Sequence, residues 1–251
     1  MEALLPEGVS AIGALVLVVA SMATSALSSS VGIGGGVALL AAMTFVIPVE
    51  VLIPVHGVVQ LGSNTGRAVL LVRSTAWRLV VPFMIGAVAG AVVGGLLVTD
   101  LPEAVILAAI GVFVCVTTWF RPPPLGKGER GVVAAGGFGA TILTMFVGAT
   151  GPFVMALLRQ AGLPHKELVA TLSVSMTIQH LLKVAAFTAL GFAFAAWAPL
   201  MAAMVITGFI GTVIGTRMLD KLPEKALRQA LNVVLTVIGV QLVIRAVLSV
   251  L

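Results

Sequence analysis

Long apolar stretches alternate with short polar connections along this chain. Eight of these stretches have nearly the length of a membrane span and few or no internal charges: residues 9–30, 51–72, 79–98, 104–120, 131–149, 168–188, 199–216 and 229–250. A helix needs about 20 apolar residues to cross a bilayer. Two shorter apolar pieces, 36–48 and 152–160, follow interruptions by glycine and proline. The pattern predicts an all-α polytopic membrane protein in which two helices are broken.

The composition agrees with a membrane environment. Of 251 residues, 60% are hydrophobic and 9% are charged, whereas soluble domains average about 25% charged residues. The net charge of +5 could indicate a nucleic-acid partner. The positions of the charges argue against one and favour a lipid bilayer, because they follow the predicted connections.

Basic residues concentrate in four connections, which predicts the topology. Residues 73–78, 121–130, 159–167 and 217–228 hold eleven of the fourteen Lys and Arg side chains, and acidic residues gather in the remaining connections. Basic loops stay on the cytoplasmic side. We therefore predict a multi-pass protein of the cell (inner) membrane, with these four loops cytoplasmic and both termini outside.

The two halves of the chain resemble each other. "GAVVGGLLVTDLPE" (90–103) matches "GTVIGTRMLDKLPE" (211–224), and "VGIGGG" (31–36) pairs with "VGATGP" (147–152). The Leu-Pro-Glu connection is acidic in the first copy and mostly basic in the second, so equivalent elements fall on opposite sides of the membrane. This predicts two inverted repeats, each with one broken and three spanning helices: 1–120 and 131–251, joined by a cytoplasmic linker at 121–130.

Inverted repeats with discontinuous helices are typical of secondary transporters, which bind substrate where the half-helices meet. Helices that restart after the two breaks present free N–H groups, and two such ends together would bind an anion. For Gly90, Gly94, Gly211 and Gly215 we favour close helix packing instead. The predicted substrate-binding backbone and hydroxyl positions at the breaks are Ser30, Gly32, Gly34, Gly35, Gly36, Gly148, Thr150 and Gly151.

Polar side chains within the spans are few. Arg67 and Lys183 occupy equivalent positions in the two halves, and they either bind the anion or snorkel to an interface. Amide, imidazole and hydroxyl groups could donate to an oxyanion or serve as interhelical hydrogen bonds and packing residues. This last set is Gln60, Asn64, Ser175, Gln179 and His180.

Acidic residues are missing from the deep parts of the predicted spans. If transport is coupled to protons, the carrier must be His56, His180 or the substrate itself, since histidine titrates near neutrality; a packing role for each histidine is the alternative. Neither Gly-x-Ser-x-Gly nor His-Glu-x-x-His occurs in the sequence. We therefore expect no enzyme, no cofactor and no metal, and we keep a passive anion channel as the alternative and an intramembrane hydrolase as a remote one.

The glycine-rich break, its "GATGP" echo and the helices "HGVVQLGSNTGR" (56–67) and "ATLSVSMTIQHLLKV" (170–184) resemble the TauE/SafE sulfite-exporter family. The resemblance covers essentially the whole chain and departs at the second break, which has Gly-Pro in place of a glycine pair. It implies transport of a small sulfur-containing anion, such as sulfite or a C2 sulfonate. The exact substrate, the direction of transport, the coupling ion and the oligomeric state, a homodimer included, stay open.

Overall fold

The computed structural model describes residues 5, 6, 8–31, 34–98, 102–119, 128–218 and 224–249. Gly32, most of the linker (121–127) and part of the connection 217–228 (219–223) lie outside the described residues. The described residues form α-helices and no strand. The helices are α1 (Ala11–Val31), α2 (Gly35–Met43), α3 (Val49–Leu71), α4 (Trp77–Leu97), α5 (Glu103–Trp119), α6 (Arg130–Val147), α7 (Gly151–Arg159), α8 (His165–Ala189), α9 (Ala198–Arg217) and α10 (Glu224–Leu248).

The outer surface of the helix bundle is apolar. Within the described residues, five helices are long and apolar enough to cross a membrane, namely α1, α4, α6, α8 and α9 with the turn that precedes it. Large side chains such as Ile12 and Leu96 are more than three-quarters exposed. Exposed apolar area of this extent matches lipid rather than water. The all-α membrane fold predicted from the sequence is confirmed.

At each predicted break the chain reverses direction and forms a helical hairpin. A β-carbon on Gly35 would overlap the carbonyl oxygen of Thr24 in α1, and one on Gly13 would lie 2.8 Å from Val46 Cγ1. The nine-residue α2 therefore runs back along the 21-residue α1. The second hairpin, α6–α7, closes in the same way, because Gly128 lies against Ala161.

Packing glycines join each hairpin to a helix from the other half of the chain. A β-carbon on Gly90 would overlap the carbonyl oxygen of Phe138, which ties α4 to α6. One on Gly211 would overlap the carbonyl oxygen of Met22, which ties α9 to α1. One turn further on, Gly94 lies against Met145 and Ile142, and Gly215 lies against the carbonyl oxygen of Ala26. The helix-packing role predicted for these four glycines is therefore confirmed.

Two large apolar cores form among the described residues, one around each hairpin, and a small third cluster joins Leu71 to Val169 and Ala170. The first core joins the α1–α2 hairpin to α3, α5, α9 and α10. The second core joins the α6–α7 hairpin to α4 and α8. Helices α3 and α8 pack against each other between the two cores, and they run antiparallel, since Gly57 lies beside Lys183 and the N–H of Ala76 donates to Thr171 Oγ1. The candidate site lies along this α3–α8 contact.

Candidate anion-binding site between the two hairpins

A cavity of about 40 Å³ lies where the tips of the two hairpins meet. Both hairpins and both central helices contribute to it. Its wall consists of Ser28, Gly34, Gly36, Val37, His56, Gln60, Asn64, Arg67, Ala149, Gly151, Pro152, Leu172, Met176 and His180. A water molecule needs roughly 10–15 Å³ of such space, so the cavity has the size of a few water molecules or one small oxyanion.

Both short helices begin at this cavity. Gly34 precedes α2 with a φ of +96°, in the left-handed region that glycine adopts without strain. Helix α7 begins at Gly151 with Pro152 in its first turn. The first N–H groups of a helix have no partner within the helix and carry its positive end. Two positive helix ends therefore lie at one small space.

Arg67 contributes a buried positive charge to the wall. Its side chain is 3% exposed, and its Nη1 and Nη2 donate to the Ser28 carbonyl oxygen at 3.2 Å and to Asn64 Oδ1 at 3.4 Å. Its Nε has no hydrogen-bond partner in the described part of the chain. None of the acidic side chains described by the structure is buried. The guanidinium is thus held inside the protein by neutral oxygens alone.

Lys183 is buried but stands outside the cavity wall. Its Nζ donates to the carbonyl oxygen of Gly148 at 2.7 Å and lies 3.5 Å from Thr144 Oγ1. Gly148 caps the C-terminus of α6 with a φ of +78°. The two cations that the sequence repeat pairs therefore differ, because Arg67 lines the cavity whereas Lys183 hydrogen-bonds to the C-terminal end of α6.

The two intramembrane histidines meet at the cavity. The rings of His56 and His180 have their centroids 6.1 Å apart with an interplanar angle of 77°. His56 Nε2 lies 2.9 Å from the carbonyl oxygen of Gly36. Because a carbonyl oxygen only accepts, Nε2 carries the hydrogen in this contact. The Nδ1 atoms of both rings have no hydrogen-bond partner within the described residues.

The amide side chains near the two hairpins differ in their surroundings. Gln60 and Asn64 line the cavity, where Asn64 Nδ2 donates to Gln60 Oε1 at 3.2 Å. Gln179 instead accepts from Thr150 Oγ1 at 3.0 Å and donates to Thr141 Oγ1 at 3.3 Å. Gln179 thereby ties α8 to both arms of the second hairpin and does not reach the cavity wall.

The structure divides the predicted substrate-binding residues into two groups. Those in the cavity wall are Gly34, Gly36, Gln60, Asn64, Arg67, Gly151 and His180, together with the proposed proton carrier His56. Those placed behind it are Ser30, Gly35, Gly148, Thr150, Ser175, Gln179 and Lys183. Gly35 packs against Thr24 and Ser28, and Ser30 Oγ donates to the Ala26 carbonyl oxygen.

Six wall residues were not predicted as site residues. Ala149 and Pro152 belong to the second quoted break motif, and Ser28 lies three residues before the first one, so their place at the breaks was the available signal. Val37, Leu172 and Met176 are apolar residues within apolar helices, and nothing in the sequence distinguishes them from core residues. Their role as wall residues emerges only from the meeting of the two hairpins.

Comparison with known proteins agrees with this architecture. The family model described as "Sulfite exporter TauE/SafE" matches residues 17–242. The chain is also similar to a protein of Comamonas testosteroni named "Probable inner membrane transporter protein TsaS", with 27% identity over 182 residues that cover 68% of this chain and 73% of the relative. No solved structure matches the chain significantly.

The matched region begins within α1 and ends within α10, so it includes both hairpins, both central helices and the cavity between them. The family is one of membrane transporters, and the chain is a membrane-embedded helical protein. This chain belongs to the sulfite exporter TauE/SafE family.

Proposed function

We propose that the protein is a secondary transporter that moves a small sulfur-containing anion, such as sulfite or a C2 sulfonate, by alternating access. Arg67 carries this proposal. A buried charge without a counter-charge costs several kcal/mol, and the hydrogen bonds of Arg67 go only to neutral oxygens. An anion in the cavity would supply the missing charge next to the guanidinium.

The helix ends support binding of an oxyanion in particular. The N-termini of α2 and α7 both face the cavity, and helix N-termini bind phosphate, sulfate and carboxylate groups through backbone N–H. Gln60 and Asn64 add side-chain amides on the same wall. A sulfur oxyanion has several acceptor oxygens and matches such a set of donors.

The division into two cores supports alternating access. Helices α1 and α2 pack in the first core and α6 and α7 pack in the second, while Ala149, at the tip of the second hairpin, contacts the first core beside the cavity. Movement of one core against the other along α3 and α8 would open the cavity toward one side at a time. This is the motion expected of inverted repeats around a fixed binding site.

Matched contacts support the inverted-repeat arrangement. At the spacing that relates residues 31–36 to 147–152, Ser28 corresponds to Thr144, and each lies against the deep cation of its own half. Likewise the Ser63–Ser25 hydrogen bond corresponds to the Gln179–Thr141 hydrogen bond. Helices α3 and α8, which are equivalent in the repeat, run in opposite directions. These contacts favour repeats at 1–120 and 131–251.

We further propose that His56 and His180 carry the coupling proton. With Nε2 of His56 donating to Gly36, its Nδ1 can act only as an acceptor until it takes up a proton. Protonation would add a donor and a positive charge beside Arg67 and His180. Proton binding and anion binding would then favour each other.

Counterflow in proteoliposomes tests the proposed function. Vesicles preloaded with unlabelled sulfite should transiently accumulate labelled sulfite from outside, and the initial rate should saturate with sulfite concentration. A carrier gives both results. Flux without counterflow would indicate a passive channel and would contradict alternating access. The absence of flux with both sulfite and C2 sulfonates would contradict the proposed substrate class.

A further inference from the structure

The two halves of the chain bring different chemistry to the cavity wall. Besides Gly34, Gly36 and Val37, the first half contributes five residues with hydrogen-bonding side chains, namely Ser28, His56, Gln60, Asn64 and Arg67. The second half contributes Ala149, Gly151, Pro152, Leu172 and Met176, together with a single polar side chain, that of His180. The two walls come from equivalent elements and yet differ in chemistry.

The difference is sharpest between the two central helices. At the spacing that relates the two halves, His56 corresponds to Leu172 and Gln60 corresponds to Met176. All four residues line the cavity. At corresponding positions, α3 therefore brings an imidazole and an amide to the cavity and α8 brings two apolar side chains, and Leu172 and Met176 are 3% and 4% exposed.

The hairpin ends repeat this difference. Gly36, in the first turn of α2, corresponds to Pro152, in the first turn of α7. Proline has no backbone N–H, so α7 offers one donor fewer than α2 at the equivalent place. The second deep cation is also withdrawn, since Lys183 donates to Gly148 behind the wall. The charged and donating groups thus concentrate on the first-half wall.

We infer that Leu172 and Met176 are specificity-determining residues, which select an anion with one apolar face over an anion with oxygen on every side. This inference rests on the proposed function and refines its substrate class to a sulfonate or a similar anion with a small alkyl substituent. The sulfonate oxygens would lie against Arg67 and the start of α2. The alkyl group would lie against Leu172 and Met176. An oxygen there would lose its hydrogen bonds to water and gain none.

Methanesulfonate and sulfate make a matched pair of probes, because one is the other with a methyl group in place of an oxygen. Titration calorimetry of the purified protein should give a Kd for methanesulfonate at least about tenfold lower than that for sulfate. Met176→Gln places on α8 the amide that α3 has at Gln60. It should reduce this preference at least about fivefold, while Met218→Gln, at the exposed end of α9, should leave the preference unchanged.

Met176→Ala provides a second test that adds no polar group. Shortening the side chain enlarges the apolar side of the cavity and should favour ethanesulfonate over methanesulfonate relative to the wild type. Melting temperatures identify a variant that fails to fold. If either Met176→Gln or Met176→Ala fails, the probe ratios of the folded variant test the inference. A sulfate preference in the wild type, or probe ratios within about twofold of wild type in the folded variants, would overturn the inference.

Titration with sulfite in parallel shows whether a negative result contradicts only the role of Leu172 and Met176 or also the proposed function. Wild-type protein that binds sulfite without the expected probe ratios contradicts the inference and leaves the proposed function standing. Wild-type protein that binds neither sulfite nor a sulfonate contradicts both.

Discussion

Lys183 Nζ donates to the carbonyl oxygen of Gly148 at 2.7 Å, so a buried cation of α8 closes the C-terminal end of α6. Its counterpart Arg67 contacts the equivalent stretch of the first hairpin through the Ser28 carbonyl oxygen, but it also lines the cavity. The positions that the sequence repeat pairs thus hold two cations with different surroundings. The first two predictions follow from this difference.

Arg67→Gln should weaken anion binding strongly. Removal of the charged partner from a buried pair costs about 2 kcal/mol or more, which is roughly thirtyfold in Kd. Arg67→Lys should recover part of the affinity, because lysine keeps the charge without the planar fork. Calorimetry with sulfite measures both variants. Arg78→Gln, on the exposed start of α4, is the charge-matched control, and an equal loss in that control would contradict a specific role for Arg67.

Lys183→Met should affect stability more than binding. The Gly148 carbonyl oxygen loses its charged donor, which costs about 1–3 kcal/mol of the free energy of unfolding. The Kd for sulfite should change by less than about threefold, well under the effect expected for a lost charge contact. Thermal unfolding in detergent and calorimetry check the two effects separately. Unchanged stability together with a large loss of affinity would place the ammonium in the anion site instead.

Gly151→Ala should weaken binding without loss of stability. A β-carbon at Gly151 meets no protein atom within 4 Å, and the residue lines the cavity, so the methyl group would take up space needed by the anion. Alanine is about 1 kcal/mol better than glycine in a helix. Gly139→Ala in α6 is the matched control, because its β-carbon also meets nothing within 4 Å and it lies outside the wall. Equal Kd values in the two variants would remove Gly151 from the site.

Gly35→Ala should prevent correct closure of the first hairpin. Its β-carbon would overlap the Thr24 carbonyl oxygen and Ser28 Oγ, so α2 must move away from α1. We expect a loss of about 1–3 kcal/mol, as for other overpacked sites, and the melting temperature should fall with sulfite present or absent. A variant with wild-type stability would contradict the close packing of α1 and α2.

Loss of a proton carrier should uncouple protons from anion binding. Addition of sulfonate to weakly buffered wild-type protein should cause proton uptake, which a pH indicator records. A sulfonate is suitable because it does not itself titrate near neutral pH. In His56→Gln the uptake should disappear, since glutamine can donate without taking up a proton. The variant His165→Gln, at the start of α8 and outside the cavity, is the control. Full uptake in both His56→Gln and His180→Gln would exclude this histidine pair.

The predicted topology can be tested with single cysteines on a Cys115→Ser background. Lys166→Cys, in a predicted cytoplasmic loop, and Ala195→Cys, in the connection before α9 that is predicted to lie outside, are both exposed and lie near opposite ends of α8. A membrane-impermeant thiol reagent should label Ala195→Cys from outside and Lys166→Cys only after the membrane is opened. Labelling of both positions from one side would contradict the inverted arrangement.

Most of the helices could be predicted from the sequence, since lipid requires long apolar segments and every such segment became a helix. The starts of α2 and α7 were predicted within one residue, because glycine and proline mark helix ends regardless of tertiary contacts. The reversal of the chain at the breaks was not explicit in the pattern. It depends on the close approach of Gly35 to Thr24, which lies in a helix of ordinary composition.

The site could be predicted only in part. Intramembrane polarity identified Arg67 and His180 as candidates, but the same signal also selected Lys183 and Gln179, which fasten the second hairpin. Polarity alone does not distinguish a side chain that lines the cavity from one that only hydrogen-bonds to other parts of the protein. Leu172 and Met176 could not be predicted as site residues, because the sequence of an apolar helix does not distinguish residues that line a cavity from residues in the core.

The contacts between α1 and α9 can form only late in synthesis, because the two helices lie far apart in the sequence. Ser21 Oγ donates to the carbonyl oxygen of Met204, 183 residues later in the chain. At about 5–20 residues per second of synthesis, the first hairpin would wait roughly 10–40 s in the bilayer before α9 arrives. During that time the small-residue face of α1, which later lies against Gly208, Gly211 and Gly215, is open to any other helix in the membrane. Membrane insertion factors that shield a nascent hairpin would matter most for this chain within that interval.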